Sequence, residues 1–361
     1  MVSVMSNSHL ENTIFELFCR YLPHNHRQLR RLAAVCSAVQ LARSTHLSHV
    51  ARWLPQPTQQ ASRVRFLSRF FMSERFGDDT IYHLLLQQAL RTYRTSLWHL
   101  TIDRSNWIPK EQDLLMVSLS YHKRAIPIAW QIHDFGPTNA QEQIDLLESV
   151  CAFVPQNQPI VLHGDAEFGS VPLMRFITRQ TDWDFILGQR SRNQFHIGDW
   201  QWQAVKNLHV TPSRPYFAAN IFWTKTHNFG PLNFFAFHKP YRSGRNEPIK
   251  LTRYCTTSLP IAPHLRRLGH RRWGCEPMFR DFKSSGWDMQ QSRLQDPDTR
   301  HALLLVLSIN YLWATSLGRW LCKVGRRHEI DSKKNDITAY FVLVGIGLFI
   351  SIRCNNLSRL F

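Results

Sequence analysis

The sequence predicts a mixed α/β fold, of the α+β kind: one mixed sheet flanked by helices, preceded by a basic helical domain. Three observations carry this. Residues 1–90 place apolar side chains at helical spacing. From residue 97 the apolar runs shorten to strand length and alternate with two amphipathic helices in the order β-β-β-α-β-α-β, which requires a mixed sheet covered by helices. Residues 191–258 are rich in alternating aromatics with Pro and Gly between them, the texture of a β-rich insertion.

Within residues 1–90 the helical spacing recurs at 29–41, 47–54 and 64–71. Ser44, Thr45 and Ser62 are the expected N-caps of the second and third helices, and Pro55 and Pro57 mark a break. Ten arginines and a single acid, Glu74, lie between Arg20 and Arg75. Short helices around tight turns with arginines on the last resemble a helix-turn-helix reader, so residues 1–90 are expected to bind DNA.

Residues 97–103 form an apolar strand ending in Asp103; 114–120 and 125–132 follow as strands, separated by a polar turn at 121–124. Residues 139–154 carry the 3.6-residue period of a helix, 159–165 is a second strand ending in an acid, Asp165, and 170–179 and 184–188 add a helix and a strand. A helix bearing Glu276 follows the insertion, then an apolar helix at 301–320. The expected domains are therefore 1–90, a catalytic domain at 91–320 interrupted by the insertion, and a tail at 321–361. The tail joins a basic linker to an apolar run at 337–352, whose 16 residues fall short of the roughly 20 that a membrane span needs.

A surplus of 44 Lys and Arg over 26 Asp and Glu, a formal +18, is a statement about partners: nucleic acid first, a membrane surface as the competitor. The seven cysteines are scattered singly with no Cys-x-x-Cys pair, which predicts reduced thiols and no structural zinc. The first eight residues have neither a basic region nor an apolar core, so no secretory signal is expected.

The chemistry gathers around residues 269–283. On a helix, Arg272 and Lys283 would come within roughly 20° of each other and Glu276 within about 40° of Arg272. Two cations flanking a carboxylate suit a phosphate held beside a metal ion; taken alone, the triplet is equally a solvated face with an i,i+4 pair. Pro277 either kinks this helix or stands at its start. Asp103 and Asp165 terminate apolar strands, where side chains converge on a crevice, although either alone also suits a turn. With Glu276 they make three carboxylates at the edges of regular elements, 62 and 111 residues apart. Such sets bind two Mg²⁺ ions about 3.5–4 Å apart.

These motifs resemble the DDE insertion-sequence transposases, specifically the insertion-sequence-four-type family. That family has a ribonuclease H-like core, a β-strand insertion between the second Asp and the Glu, and a Tyr-(2)-Arg-(3)-Glu-(6)-Lys signature. The matching residues are Asp103 in Leu-Thr-Ile-Asp-Arg, Asp165 in His-Gly-Asp-Ala-Glu-Phe-Gly, then Arg272, Glu276 and Lys283, with residues 61–65 also similar. The resemblance covers roughly residues 20–325. It implies that Asp103, Asp165 and Glu276 are catalytic and hold two Mg²⁺ ions, with Mn²⁺ as a substitute. Arg272 and Lys283 would grip phosphates beside the scissile bond, Trp273 would stack on a splayed base, and Trp223 of the insertion would assist a flipped one. Glu167 reads as a supporting or solvent-facing acid rather than a further ligand.

The implied reaction is cut-and-paste transposition in the bacterial cytoplasm, at the nucleoid. Its partners are double-stranded DNA, both terminal inverted repeats and target, and a second copy of the chain in the DNA complex; no membrane is involved. One position departs from the signature: Gly269 stands where the family has the Tyr that contacts DNA phosphate. A remnant that binds without cutting, and a structure-specific nuclease on the same fold, are the alternatives.

Overall fold

The computed structural model of the chain describes residues 7–326, apart from 74–79, 92, 94, 109–110, 122–123, 200 and 243–247. The side chains of residues 7, 239–242, 248–251, 270, 273 and 285 are likewise outside the description. The N-terminal part is helical: α1 (Asn7–Tyr21), α2 (His26–Ala42), α3 (Leu47–Ala51), α4 (Gln60–Phe71) and α5 (Thr80–Leu90). Then come β1 (Trp98–Ile108), β2 (Gln112–Tyr121), β3 (Arg124–Asp134), α6 (Ala140–Phe153), β4 (Ile160–Gly164), α7 (Val171–Gln180) and β5 (Asp184–Gln189), in the predicted order. The aromatic segment forms β6 (Gln194–Ile197), β7 (Gln203–Ala204), β8 (Tyr216–Trp223), β9 (Phe229–Arg242) and β10 (Pro248–Thr257). Last are α8 (Leu265–Gly269), α9 (Cys275–Arg280) and α10 (Pro297–Lys323). The apolar run expected at 337–352 lies outside the described residues.

Side-chain chemistry sets several boundaries. Asn139 starts α6 with a capping box: its side-chain Oδ1 accepts from the backbone N–H of Gln141 and Glu142, and the Glu142 carboxylate accepts from Asn139 N. Ser170 caps α7 in the same sense. The caps expected for α3 and α4 are not used there, because His46 and Gln59 precede those helices without a side-chain cap bond. Thr45 instead donates its hydroxyl to the carbonyl of Asp288 at 2.8 Å, a contact across 243 residues that local sequence cannot reveal. Ser62 falls inside the first turn of α4.

The strands make one ten-stranded sheet in the order β3-β2-β1-β4-β5-β10-β9-β8-β6-β7. β1, β4 and β5 run parallel at its middle. β10 pairs antiparallel with β5, so the insertion continues the core sheet. Its aromatics fill its own interior: Trp223 is fully buried and stacked on Phe195 and Phe234. A ring so covered cannot meet a flipped base, which corrects the role expected of Trp223.

α6 packs on β2 and β3, and α7 on β5. α10 packs on β3 and on α2, α4 and α5, and one apolar cluster runs from Leu32 and Phe70 through Leu305 and Tyr311 to Leu115 and Ile128. The helical segment therefore shares its core with the sheet. α10 has the length and composition to cross a bilayer, yet most of it is buried inside the protein, as expected of a helix that is apolar all round and central to a core.

Candidate active site

β1 and β4 pair from Trp98↔Ile160 to Thr101↔His163, an offset of 62 residues at every pair. Asp103 and Asp165 are separated by the same 62 residues. Both therefore stand two positions past the last pair, Asp103 within β1 on the face of His99 and Thr101 and Asp165 one residue beyond the end of β4, the two strands being about 4.8 Å apart. β1 itself does not end at Asp103 as expected; it continues to Ile108 against β2, with Asp103 opposite Met116. What ends is β4, at Gly164. Residues 98–102 of β1 are buried and 103–106 half-buried, so Asp103 sits where its parallel neighbour stops and the sheet opens.

The turn carrying Asp165 lies hard against β5. A Cβ on Gly188 would come within 2.7 Å of the Asp165 carbonyl carbon and 2.8 Å of Ala166 N, closer than real Cβ atoms approach backbone. Glycine at 188 is thus required by the placement of Asp165.

Burial raises the pKa of Asp103, and the charge of Asp165 adds to the rise. Three donors oppose it: the Cys275 thiol to Oδ2 at 3.0 Å, Arg272 Nη1 to Oδ2 at 3.3 Å, and Arg104 N to Oδ1 at 2.9 Å. Beneath the acids, His99 Nδ1 and His163 Nε2 share a hydrogen bond of 3.0 Å. Burial depresses both imidazoles, His99 to about 4 and His163 to about 3, with Arg271 adding to each, so the pair is neutral at pH 7. A pocket of about 90 Å³ opens beside Asp165 and is lined also by Gln189, Tyr254, Gly269 and Arg272.

The single helical face expected for Arg272, Glu276 and Lys283 is not formed. Residues His270–Gly274 make a 3₁₀ turn, α9 follows, and Asp281–Ser285 widen into a π turn in which Lys283 leaves the helical region (φ −84°, ψ −107°). Pro277 sits in the first turn of α9, where its missing donor costs nothing. Buried Asp281 pairs with Arg124 of β3 and anchors the segment; burial lifts its pKa to about 6 against the pull of Arg124.

The three signature residues thus part company. Arg272 reaches Asp103 and lines the pocket beside Asp165. Glu276 is exposed, one residue past the Cys275 that bonds Asp103. Lys283 is half-buried, its pKa lowered by burial and partly restored by Asp113. The backbone of Trp273 lies in the 3₁₀ turn and its side chain is outside the description. Gly269 has ordinary right-handed helical dihedrals (φ −57°, ψ −22°), and a Cβ there would meet only Phe235 and Ile186 at 3.8–4.0 Å.

Two adjacent carboxylates, one raised in pKa by burial and by its neighbour, are a donor pair suited to a hard divalent cation. Among the described residues no group of three carboxylate, His or Cys side chains is gathered to hold a metal ion, so Glu276 does not stand with the pair in this conformation. Glu167 is committed elsewhere, accepting from Arg104 and Thr138, in keeping with a supporting acid. Sequence reasoning missed Cys275 and the two histidines. Cys275 lies 172 residues from Asp103, and no spacing rule joins them.

The family model of the transposase DDE domain matches residues 126–313, just over half of the chain, and the chain belongs to that family. The matched span contains Asp165, Arg272 and Glu276 and begins after Asp103. The family is one of nucleases and transesterases that in general depend on divalent metal. No curated protein sequence matches the chain. Among solved structures, the chain is similar to a piggyBac transposase in a synaptic complex with hairpin DNA, at 15% identity and a TM-score of 0.43, over 87% of this chain and 73% of that one. It is also similar to the Argonaute of Marinitoga piezophila in complex with a 5′ OH guide RNA, at 9% identity and a TM-score of 0.26, over 71% of this chain and 38% of that one.

Proposed function

We propose that the chain is an insertion-sequence-four-type transposase that cuts double-stranded DNA at the terminal inverted repeats of its element and joins the ends to target DNA. The observation that carries this is the matched placement of Asp103 and Asp165 beyond the end of β4, with Arg272 beside them. Asp103 and Asp165 would hold Mg²⁺, or Mn²⁺ in its place, and Glu276 is the third carboxylate of the proposed set. When bound, two such ions activate the attacking oxygen and stabilise the leaving one.

The chain's own residues do the rest. Asp103 and Asp165 bring two carboxylates to one lip of the sheet. Arg272 offers a planar fork to the phosphate at the scissile bond, exchanging part of its contact with Asp103 for that phosphate. Lys283, half-buried and facing Asp113, would supply a second cation only away from the Arg272 fork, and Trp273 would offer a face for an unpaired base. DNA outside the site is held by the basic helical segment, where exposed Arg65 and Arg69 of α4 flank a shallow groove with Ser62 and Ser68. Two copies acting on paired ends, in the bacterial cytoplasm at the nucleoid, complete the reading.

Incubation of the purified chain with a plasmid bearing the element's two ends, in Mg²⁺, tests it. Excised ends that become joined to a second DNA support a transposase. Excision with no joining supports a nuclease on this fold, and binding without either supports a remnant.

A further inference from the structure

The backbone ladder between β1 and β4 stops at Thr101↔His163, so no strand pairing between β1 and β4 holds Asp103 and Asp165 in place. A side-chain brace takes over where the ladder ends. Arg104 follows Asp103, Glu167 lies two residues past Asp165, and these two neighbours are forked together. Arg104 Nε donates to Glu167 Oε1 at 2.8 Å and Oε2 at 3.0 Å, and Nη2 donates to Oε2 at 2.9 Å. Glu167 Oε1 also accepts from Thr138 N at 3.1 Å and Thr138 Oγ1 at 3.0 Å. On its other side Arg104 Nη1 pairs with Asp113 of β2, which is fully buried and also accepts from Gly136 N at 3.1 Å.

The brace also aims the two carboxylates. Asp103 Oδ1 accepts from the backbone N–H of Arg104 at 2.9 Å, and Asp165 Oδ1 accepts from that of Glu167 at 2.7 Å. Each aspartate therefore takes a bond from the backbone of the residue whose side chain forms the brace. A shift of either brace residue turns the carboxylate beside it.

We propose that Arg104 and Glu167 are positioning residues that set the separation and aim of Asp103 and Asp165, and with them the affinity of the pair for a divalent cation. The inference rests on the reading of that pair as a metal site. A salt bridge serving stability alone would leave that affinity unchanged when weakened. A brace would not, since groups that orient metal-holding side chains typically change affinity by about 10–100-fold when altered.

The test is Mn²⁺ binding to the full chain, followed by electron paramagnetic resonance, with thermal unfolding recorded on the same samples. Glu167→Gln keeps the shape and loses the charge; Arg104→Lys keeps the charge and loses the fork, which a single ammonium cannot replace. Each folded variant should bind Mn²⁺ about 10–100-fold more weakly than wild type. If Glu167→Gln does not fold, Arg104→Lys decides the matter. Wild-type affinity in a folded variant, with only the melting temperature lowered, overturns the brace. Asp103→Asn separates the two claims: loss of binding there with retention in both brace variants refutes the brace alone. Equal binding by wild type and Asp103→Asn removes the metal reading and the brace together.

Discussion

Asp103 within β1 and Asp165 one residue past the end of β4 occupy matched positions, because their 62-residue spacing equals the register offset of those neighbouring parallel strands. Two acids far apart in the chain thus stand side by side at the point where β4 ends. Much of the chemistry expected of the protein depends on that placement and on what surrounds it.

Gly188→Ala should disable the site without touching any charged group. The new Cβ meets the backbone of Asp165 and Ala166 at 2.7–2.8 Å, so the turn carrying Asp165 must move. A misplacement of this kind costs on the order of 100-fold in rate. Single-turnover cleavage at saturating protein measures the loss, and wild-type cleavage would mean that Asp165 is not held where the reaction needs it.

Arg272→Lys should also lose on the order of 100-fold in the same assay, because a point charge cannot make the two-point contact of a guanidinium. A surface arginine would tolerate the change. Gly269→Tyr is the companion: the position has room at Cβ, so the variant should fold, and a faster rate is expected if the missing aromatic limits the site.

Acid should destabilise the protein partly through His99. Its pKa is about 4 when folded against an ordinary 6.5, so the unfolded chain takes up the proton first. The stability this group contributes is fully present above pH 6.5 and is lost as pH falls toward 4. His99→Asn preserves a hydrogen-bonding group and cannot titrate. Its melting temperature should fall less than that of the wild type between pH 7 and pH 4.5; parallel falls would assign the acid sensitivity to other groups.

Salt dependence locates the wider DNA surface. Replacing exposed Arg65 and Arg69 by Ser should reduce the slope of log affinity against log salt by about 0.9 for each phosphate that is no longer neutralised. Deleting residues 1–90 is not an equivalent experiment, because those helices share the apolar cluster of α10 and the sheet. An unchanged slope in the double variant would move the surface away from α4.

Periodicity was enough to read the order of elements along the chain from β1 to β5, since apolar alternation and helical spacing are local properties, but not the order in which the strands pair in the sheet. An apolar run into an acid marked the end of β4 before Asp165, but not that of β1, which continues past Asp103 to Ile108 because β2 still pairs with it there. The helix drawn through Arg272, Glu276 and Lys283 failed because angular arithmetic assumes one pitch. Here the backbone passes from 3₁₀ to α to π within sixteen residues, anchored by an Arg124–Asp281 pair 157 residues apart in the chain. Trp223 read as available for a base because exposure cannot be seen in a run of aromatics. Cys275, His99 and His163 became visible only once strands and turns were brought together.

The central claim is that Asp103 and Asp165 act as one metal-dependent unit in cutting DNA. Its most direct test is single-turnover cleavage of the cognate ends in Mg²⁺ by wild type, Asp103→Asn, Asp165→Asn and Glu276→Gln, with end binding measured in parallel. The account predicts that all three variants bind the ends nearly as wild type does and that none cuts, since the uncharged isosteres cannot hold the cations that stabilise developing charge. Cleavage at the wild-type rate by either aspartate variant would contradict it.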